Sequence, residues 1–497
     1  MQNLLTPIKK IFTLDLRSLA ILRISLGALI LLDLSIRASD LKAFYSDEGV
    51  LPLKALFMHS WNLWDLSIHT ISGLWQIQAL LFIIAAIFAI FLLFGYKTQL
   101  SSIICWFFML SLHNRNPLIL QGGDDMLRMI LFWGIFLPWG KFYSIDTFGK
   151  PEPHQKHVVN VATVGYILQL LSVYFFAALL KTSPEWISEG TAIYYALSLD
   201  QMVFPVGKII YPYPDVLKFL THFVWYMELL APLMFLIPIK QNFFRKAGIL
   251  SIIFLHTGIA VTLFVGLFFI IGIVTLCGTI PEEWAERIHK STYQIRVALA
   301  KFYEKFLSFK RKYFHITFNF ETSIKKYRIY SVSRNGALTF IILYTFFWNF
   351  HTTSYPIINF NQFSTDFIGQ FFKIRQKWGM FSPCVFKDDG WYILEATTYN
   401  GDLIDINRNG MPVDYSKPAS VVSLFKNDRW RKYGENCIFA NNSFMRPYYC
   451  EFMFNEWNKG NPSNRIKGLK VIYMMERTLP DYKYVEPVRE ELATISE

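Results

Sequence analysis

Residues 247–281 read AGILSIIFLHTGIAVTLFVGLFFIIGIVTLCGTIP, a run of 35 residues without a formal charge between Lys246 and Glu282. An α-helix rises about 1.5 Å per residue, so a single helix of this length would reach roughly 52 Å. The hydrocarbon core of a bilayer is only about 30 Å thick. The run therefore predicts two membrane crossings that meet near Gly266, and with them a polytopic membrane protein.

The rest of the chain repeats this pattern. The hydrophobic fraction is 53%, the aromatic fraction is 18%, and only 17% of residues are charged, against about 25% in soluble proteins. A lipid bilayer accommodates such composition, whereas a soluble core of this size does not. The apolar runs predict a mainly α-helical membrane bundle over residues 1–351 with nine crossings, at 18–36, 73–95, 98–112, 126–140, 158–181, 217–239, 246–264, 266–281 and 336–351.

The basic residues are distributed unevenly between the loops of this bundle. With the N-terminus inside, the inner loops, including the basic segment 282–335, carry 22 Lys and Arg residues, and the outer loops carry six. Cytoplasmic loops of membrane proteins are enriched in these residues. The asymmetry predicts a cell-membrane protein with a cytoplasmic N-terminus and an extracytoplasmic C-terminus. It also explains the net charge of +12 without nucleic-acid binding.

Residues 352–497 are more polar and carry turn signals, which predicts a smaller β-rich extracytoplasmic domain. Asn400-Gly401 lies between two strand-like segments, and such a pair favours a type I′ hairpin turn. Of the five cysteines, Cys437 and Cys450 are 13 residues apart in the predicted oxidising compartment. They are the preferred disulfide pair, with Cys384 as an alternative partner. Metal-ligand and nucleotide-binding patterns are not recognisable, so no metal is expected.

Ionisable residues inside the predicted membrane helices are candidates for function, because an unpaired charge in a bilayer is costly. Those assigned to the outer half of the membrane are Asp124, Asp125, Lys181, Glu228 and His256, and His222 lies on the same helix as Glu228. A lysine amine among apolar groups can lose its proton and act as a base. Structural alternatives remain open. Lys181 would snorkel to the interface, Glu228 would pair with Arg128 or His222, and Asp124 would cap the fourth helix.

Several motifs over residues 14–280 resemble the HTTM-domain family, the membrane module of vitamin K-dependent γ-glutamyl carboxylase. They are 15-DLRSLAILR-23 with 31-LLD-33, 121-QGGDDMLR-128, 173-VYFFAALLK-181 followed by Trp186, and 254-FLH-256 ahead of 271-IG-272. The segment 376-QKWGMFSP-383 resembles the tail of bacterial members.

The resemblance implies an integral membrane enzyme that couples oxidation of a quinol by O2 to carboxylation of glutamate in an exported peptide or protein. The quinol would be reduced vitamin K or a menaquinol, with O2 and CO2 as co-substrates. Lys181 occupies the place of the base that deprotonates the quinol. Catalytic roles are accordingly expected for Lys181, His256 and Asp124, and cofactor contacts for Asp125, Glu228 and His222.

One departure from the carboxylase favours a second interpretation. Asp124 stands where the carboxylase carries a histidine near the start of its fourth helix, and a carboxylate repels an oxyanion unless it is protonated. The alternative is a non-catalytic membrane maturation or export factor of the same family. The natural substrate, the quinone species and the oligomeric state are left open by the sequence.

Overall fold

The computed structural model describes residues 2–298, 327–354, 366–483 and 485–497, together with 301, 304 and 357. Its α-helices in chain order are α1 Gln2–Phe12, α2 Leu16–Ala38, α3 Leu41–Tyr45, α4 Leu53–His59, α5 Trp75–Phe94, α6 Thr98–Arg115, α7 Gly122–Gly134, α8 Val161–Leu180, α9 Pro184–Ile187, α10 Ala192–Ser198, α11 Pro205–Ile210, α12 Pro214–Met234, α13 Gln241–Thr262, α14 Phe268–Leu276, α15 Glu282–Ser291, α16 Tyr327–His351, α17 Asp366–Phe371, α18 Asp428–Ile438 and α19 Met445–Gly460. The strands are β1 Leu14–Asp15, β2 His157–Val158, β3 Asp388–Thr398, β4 Leu403–Asp405, β5 Met411–Pro412, β6 Ile466–Arg477 and β7 Val488–Ser496.

Five of these helices are long and apolar enough to cross a membrane: α2, α5, α8, α12 and α13. The prediction of a helical membrane protein is confirmed at this level. The other four predicted crossings coincide with α6, α7, α14 and α16, which are also helical, but their crossing of the bilayer stays a prediction. Helix α14 and its 3-10 extension to Thr279 turn by 101° into α15.

The bundle helices pack as a closed ring in chain order. Helix α2 packs on α5, α5 on α6, α6 on α7, α7 on α8, α8 on α12, α12 on α13, and α13 on α14, which returns to α2 and α7. Helix α16 lies against α8. Local chemistry sets the helix ends: Asp15 caps α2 through a hydrogen bond from the Arg17 N–H at 2.7 Å, and Gly95 ends α5 in the left-handed region at φ 67°, which glycine adopts without strain.

The C-terminal region contains the predicted β-structure. A five-stranded antiparallel sheet has the order β5-β4-β3-β6-β7, and long central strands β3 and β6 pair from Asp388↔Arg477 to Thr398↔Ile466. The hairpin joining β3 to β4 lies at Asn400-Gly401, as predicted. Only Gly401 has a positive φ there, so the turn is not type I′. Both residues of Asn409-Gly410 have positive φ, 56° and 79°.

The predicted disulfide between Cys437 and Cys450 is wrong. Both thiols are free and buried. Cys437 lies on α18 in the core shared with the membrane bundle, whereas Cys450 lies on α19 in the core beneath the sheet. Each cysteine is thus a packing residue of a different apolar cluster, and Cys450 Sγ donates to the Leu469 carbonyl at 3.6 Å.

The C-terminal region packs against one end of the bundle. Residues Ile374, Trp378, Tyr433 and Met445 belong to the same apolar core as the bundle helices. This contact involves the C-terminal end of α2 and the start of α7, where Arg429 of α18 binds both helices. Residues 299–326 of the predicted basic segment 282–335 lie outside the described residues, apart from 301 and 304.

Candidate functional site

Lys181 ends helix α8 and is buried inside the protein. It is the C-cap residue, with φ −82° and ψ 79°, and its N–H donates to the Ala178 carbonyl at 3.2 Å. Its ammonium group donates to Oε2 of Glu228 on α12, and the side chain is only 2% exposed. A snorkelling side chain would reach the surface, so the structure instead places Lys181 in a buried ion pair.

Trp186 covers the same amine from another side. Its ring centroid lies 4.8 Å from Lys181 Nζ, a distance at which a cation is attracted to the ring face. The indole N–H donates to the Phe381 carbonyl at 2.8 Å, and the Ser183 N–H donates to the Pro383 carbonyl at 3.3 Å. The segment singled out at 376–383 therefore fixes the loop that carries Trp186.

Glu228 is positioned by the contact between α8 and α12. The indole N–H of Trp225, one turn earlier on α12, donates to the Ala178 carbonyl at 3.2 Å, which locks the two helices together near Lys181. Glu228 is 8% exposed. Its partner is Lys181 rather than Arg128 or His222, the partners considered from the sequence.

His256 contacts the same helix, α8, through Tyr174. Its Nε2 is 2.9 Å from the hydroxyl of Tyr174, which precedes Lys181 by seven residues, two helical turns on the same face of α8. Its ring packs on Phe268, with centroids 5.2 Å apart. A Cβ at Gly272 would lie 2.0 Å from Nε2, so the glycine gives the imidazole its space. Nδ1 is buried without a hydrogen-bond partner among the described residues.

His222 faces a different neighbour. It is half-buried, and a Cβ at Gly190 would approach its Nε2 to 2.9 Å. Gly190 has φ 72°, so the loop after α9 uses glycine both for its backbone conformation and for the space beside the imidazole. The structure thus places His222 against the loop that follows Trp186 and not against Glu228.

Asp124 belongs to a second buried group, which we call the ion cluster: Asp33, Arg37, Asp124 and Arg429. Arg37 donates to Asp33 at 2.7 Å and to Asp124 at 2.6 Å. Arg429 donates to Asp124 at 2.5 and 2.8 Å and to Asp33 at 2.9 Å. Asp124 also caps α7, accepting the Gln121 N–H at 2.8 Å. Two aspartates and two arginines make the ion cluster neutral.

The charge of Arg429 is set by its neighbours. Burial and the nearby Arg37 both disfavour a second cation, yet the carboxylates of Asp124 and Asp33 outweigh them and raise the pKa of Arg429. The guanidinium therefore stays charged, and both carboxylates are held by hydrogen bonds to cations.

Asp125 lies on the neighbouring face of α7. It accepts from Arg128 at 2.5 Å, and Arg128 also contacts Nδ1 of His113 at 2.9 Å and the Lys373 carbonyl at 3.2 Å. These residues line a cavity of about 230 Å³ with Gln370 and Arg375. Asp125 thus lines a polar cavity and pairs with Arg128. Among the described residues, it forms no hydrogen bond or ion pair with Lys181 or Glu228.

The sequence interpretation did not anticipate a group of possible metal ligands at the other end of α2. Ligand atoms of Asp15, His157 and Glu282 lie within 4.8 Å of one another. Asp15 and His157 are brought together by the register of β1 and β2. Arg17 binds both carboxylate oxygens of Asp15, at 3.0 and 2.7 Å, so this potential ligand is already neutralised.

Comparison of the chain with models of protein families, with curated proteins and with solved structures gives no match. The site is therefore defined by its own geometry. Lys181 contacts Glu228 and Trp186 at the end of α8, and Tyr174 contacts His256 two turns earlier on the same helix. Asp124 and Asp125 make separate contacts near the start of α7.

The sequence did not reveal the contacts of Arg37, Arg429 and Tyr174, or the contact of the Trp186 ring with the Lys181 amine. Arg37 carried a usable signal, because it follows Asp33 by four residues, directly after the predicted crossing 18–36, and such pairs face each other where the helix continues. Arg429 carried none, since 305 residues separate it from Asp124 and only the docking of the C-terminal region brings them together.

Proposed function

We propose that this chain is an integral membrane enzyme related to the vitamin K-dependent carboxylases, in which Lys181 and Glu228 move a proton from a lipid-soluble quinol. Its substrate would be glutamate in an exported peptide or protein, modified on the extracytoplasmic side. The observation that carries the proposal is the buried contact between the Lys181 amine and the Glu228 carboxylate under the Trp186 ring.

The contact places a potential base, the Lys181 amine, beside a group that can hold a proton, the Glu228 carboxylate. In an apolar site a lysine–glutamate pair can exist as ammonium and carboxylate or, after transfer of one proton, as amine and carboxylic acid. The neutral amine accepts a proton from the quinol at Nζ while Glu228 keeps its own proton, and the ammonium that forms is stabilised by a hydrogen bond to the Glu228 carboxyl oxygen and by the π face of Trp186. This arrangement supports a proton-accepting role for Lys181 beyond a purely structural pair.

The neighbouring groups fit a hydroxylated aromatic ligand. His256 Nδ1 is buried without a partner among the described residues and is free to bind a hydroxyl group. Tyr174 and Phe268 supply aromatic surface beside His256, and Trp186 supplies it beside Lys181. When bound, a quinol oxidised by O2 would supply the strong base that carboxylation of a glutamyl side chain requires. The residues of the chain bind, orient and exclude water around it.

Substitution at Lys181 tests the proposal in the full chain reconstituted in lipid nanodiscs with a short-chain menaquinol and O2. Lys181→Ala should lower quinol oxidation at least 100-fold. Lys181→Arg should fail equally, because a guanidinium does not release its proton, and Glu228→Gln should lower the rate less. Lys208→Ala is the matched control, because this lysine is 48% exposed and paired with Asp200. Full activity of Lys181→Ala would refute the proposal, as would an inactive wild-type protein.

The ion cluster favours the second candidate, a non-catalytic maturation or export factor. Asp124 stands at the position of the carboxylase histidine, but Arg37 and Arg429 bind its carboxylate, so it joins the bundle to the C-terminal region instead of binding an oxyanion. This candidate predicts that the wild-type chain oxidises no quinol, while Arg429→Gln abolishes maturation or export of its client protein.

A further inference from the structure

A large cavity lies where the C-terminal region meets the membrane bundle. Neither Lys181 nor Glu228 lines it. Its volume is about 860 Å³, within the range of about 300–1,000 Å³ typical of ligand sites. Three parts of the chain line it: the end of α2 with α3, the first turns of α5, and the C-terminal region from Tyr392 to Glu456.

The wall on the C-terminal side is aromatic. Trp430 lies 6.0 Å from Phe452 in a stacked arrangement and 6.0 Å from Tyr433, measured between ring centroids. The tyrosine hydroxyls turn away to backbone carbonyls: Tyr433 donates to Val50 at 3.2 Å and Tyr392 donates to Gly434 at 2.7 Å. The rings therefore present an apolar surface to the cavity.

The opposite wall belongs to a helix that faces lipid. The most apolar 18-residue segment of α5 has a mean hydropathy of 2.9, and only 33% of this segment is buried in the protein. Of its cavity-lining residues, Ile83 is 58% exposed and Trp75 is 42% exposed. A tryptophan at the start of such a helix is typical of the membrane–water interface. The cavity is accordingly accessible to a hydrocarbon chain from the bilayer.

The charged residues at the cavity are already paired with each other. Asp40 binds Lys426 at 2.6 Å, and Lys42 binds Glu48 at 2.6 Å and Glu456 at 3.5 Å. Two lysines face three carboxylates here, so an anionic head group would meet excess negative charge at this edge. A head group without net charge avoids this repulsion, and it can hydrogen-bond to the same polar edge.

We propose that this cavity binds a lipid with a hydrocarbon tail and an uncharged, hydrogen-bonding head group. The tail lies between Ile83 and the Trp430 ring, and the head lies at the edge formed by Asp40 and Lys426. This site is independent of the proton-transfer pair and does not require the proposed enzymatic activity.

Photo-crosslinking of the full chain in nanodiscs tests the site. Diacylglycerol with a diazirine in its acyl chain should label the peptides that carry Trp430 or Met453. Ala79→Phe fills the cavity from α5 and should lower this labelling at least tenfold. Leu80→Phe is the matched control, because Leu80 is the next residue on α5 and is 53% exposed to lipid, so labelling should stay at the wild-type level.

Three results would overturn the inference. They are absence of label on these peptides, equal labelling of wild type and Ala79→Phe, and equal labelling by an anionic phosphatidylglycerol probe with the same diazirine. The last result would identify ordinary boundary lipid. Because crosslinking needs no turnover, a negative outcome here leaves the test of Lys181 unaffected.

Discussion

Removal of Arg429 is expected to weaken the attachment of the C-terminal region to the bundle. The Arg429→Gln substitution deletes a guanidinium that donates to Asp124 at 2.5 and 2.8 Å, to Asp33 at 2.9 Å and to the Ile119 carbonyl at 3.0 Å. It leaves two buried carboxylates facing one arginine, Arg37. The ion cluster then carries a net negative charge in a site where Asp33 and Asp124 are each 1% exposed.

The size of the effect follows from this imbalance. Hydrogen bonds to charged groups contribute about 1.5–3 kcal/mol each, but bonds from one side chain are not additive. Breaking a buried ion pair by removing one partner costs about 3–5 kcal/mol, because the remaining charge is uncompensated. We therefore expect Arg429→Gln to lower the free energy of unfolding by about 3–5 kcal/mol. Asp124→Asn alone should cost a comparable amount, because it leaves two arginines with one aspartate.

A double-mutant cycle separates this electrostatic effect from simple loss of packing. The pair Arg429→Gln with Asp124→Asn retains Asp33 and Arg37 and restores neutrality. It should be more stable than the sum of the single losses by about 2 kcal/mol, within the range found for contacting pairs. Unfolding of the full chain in detergent, followed by tryptophan fluorescence, measures all four proteins.

Arg465→Gln provides the control, because Arg465 is 52% exposed in its ion pair with Glu497 and such surface pairs contribute about 0–1 kcal/mol. The reasoning is refuted if Arg429→Gln is within about 1 kcal/mol of wild type, the level of a surface pair, or if the two single losses simply add in the double variant.

Three further predictions concern topology, pH and thiol chemistry. Alkaline phosphatase fused after Glu497 should be active and green fluorescent protein at the same place should not; the reverse pattern would contradict the extracytoplasmic C-terminus. Burial raises the pKa of Asp389 to about 7, above its unfolded value of about 3.9. Between these pH values the folded state keeps the proton and the unfolded state releases it. The free energy of unfolding should therefore fall by up to about 4 kcal/mol from pH 4 to pH 7. Asp389→Asn should flatten this part of the pH profile of the melting temperature, and an unchanged slope would exclude Asp389 as its source. A membrane-impermeant maleimide added to intact cells should label the exposed Cys384 but not the buried Cys437 and Cys450. Burial raises the pKa of both buried thiols to about 12, so neither forms the reactive thiolate. Rapid labelling of Cys437 would contradict its packing.

The helices were predictable because their signal is local. Each predicted apolar segment overlaps a helix of the structure, and the 35-residue run divides between α13 and α14 around Gly266, which has φ 56°. The β3–β4 hairpin was likewise visible in Asn400-Gly401. Its turn type was not, because the type I′ geometry requires positive φ at both central residues. Here Asn400 has no positive φ, and the N–H groups of Gly401 and Asp402 both donate to Thr398, at 3.0 Å each.

The partners of the site residues were less accessible from sequence. Depth along helices placed Lys181, Glu228 and His256 in one half of the membrane, and the structure brings Lys181 to Glu228 and His256 to Tyr174. The depth of a residue along its helix does not, however, indicate which neighbouring helix its side chain faces. Asp124 has a comparable depth assignment but faces Arg37 and Arg429, the second of which comes from a region with no recognisable relation to α7 in sequence.

The two buried charge groups differ in what they leave available for chemistry. In the ion cluster, both arginines are shared between both aspartates, and a proton added to Asp124 would break bonds to two cations. That group is suited to hold structure together and not to exchange protons. Among the described residues, Lys181 forms its ion pair with Glu228 alone, and its amine also lies over the ring of Trp186. Under the proposed function, proton transfer within that pair breaks no second ion pair, whereas protonation of Asp124 would disturb its bonds to both arginines.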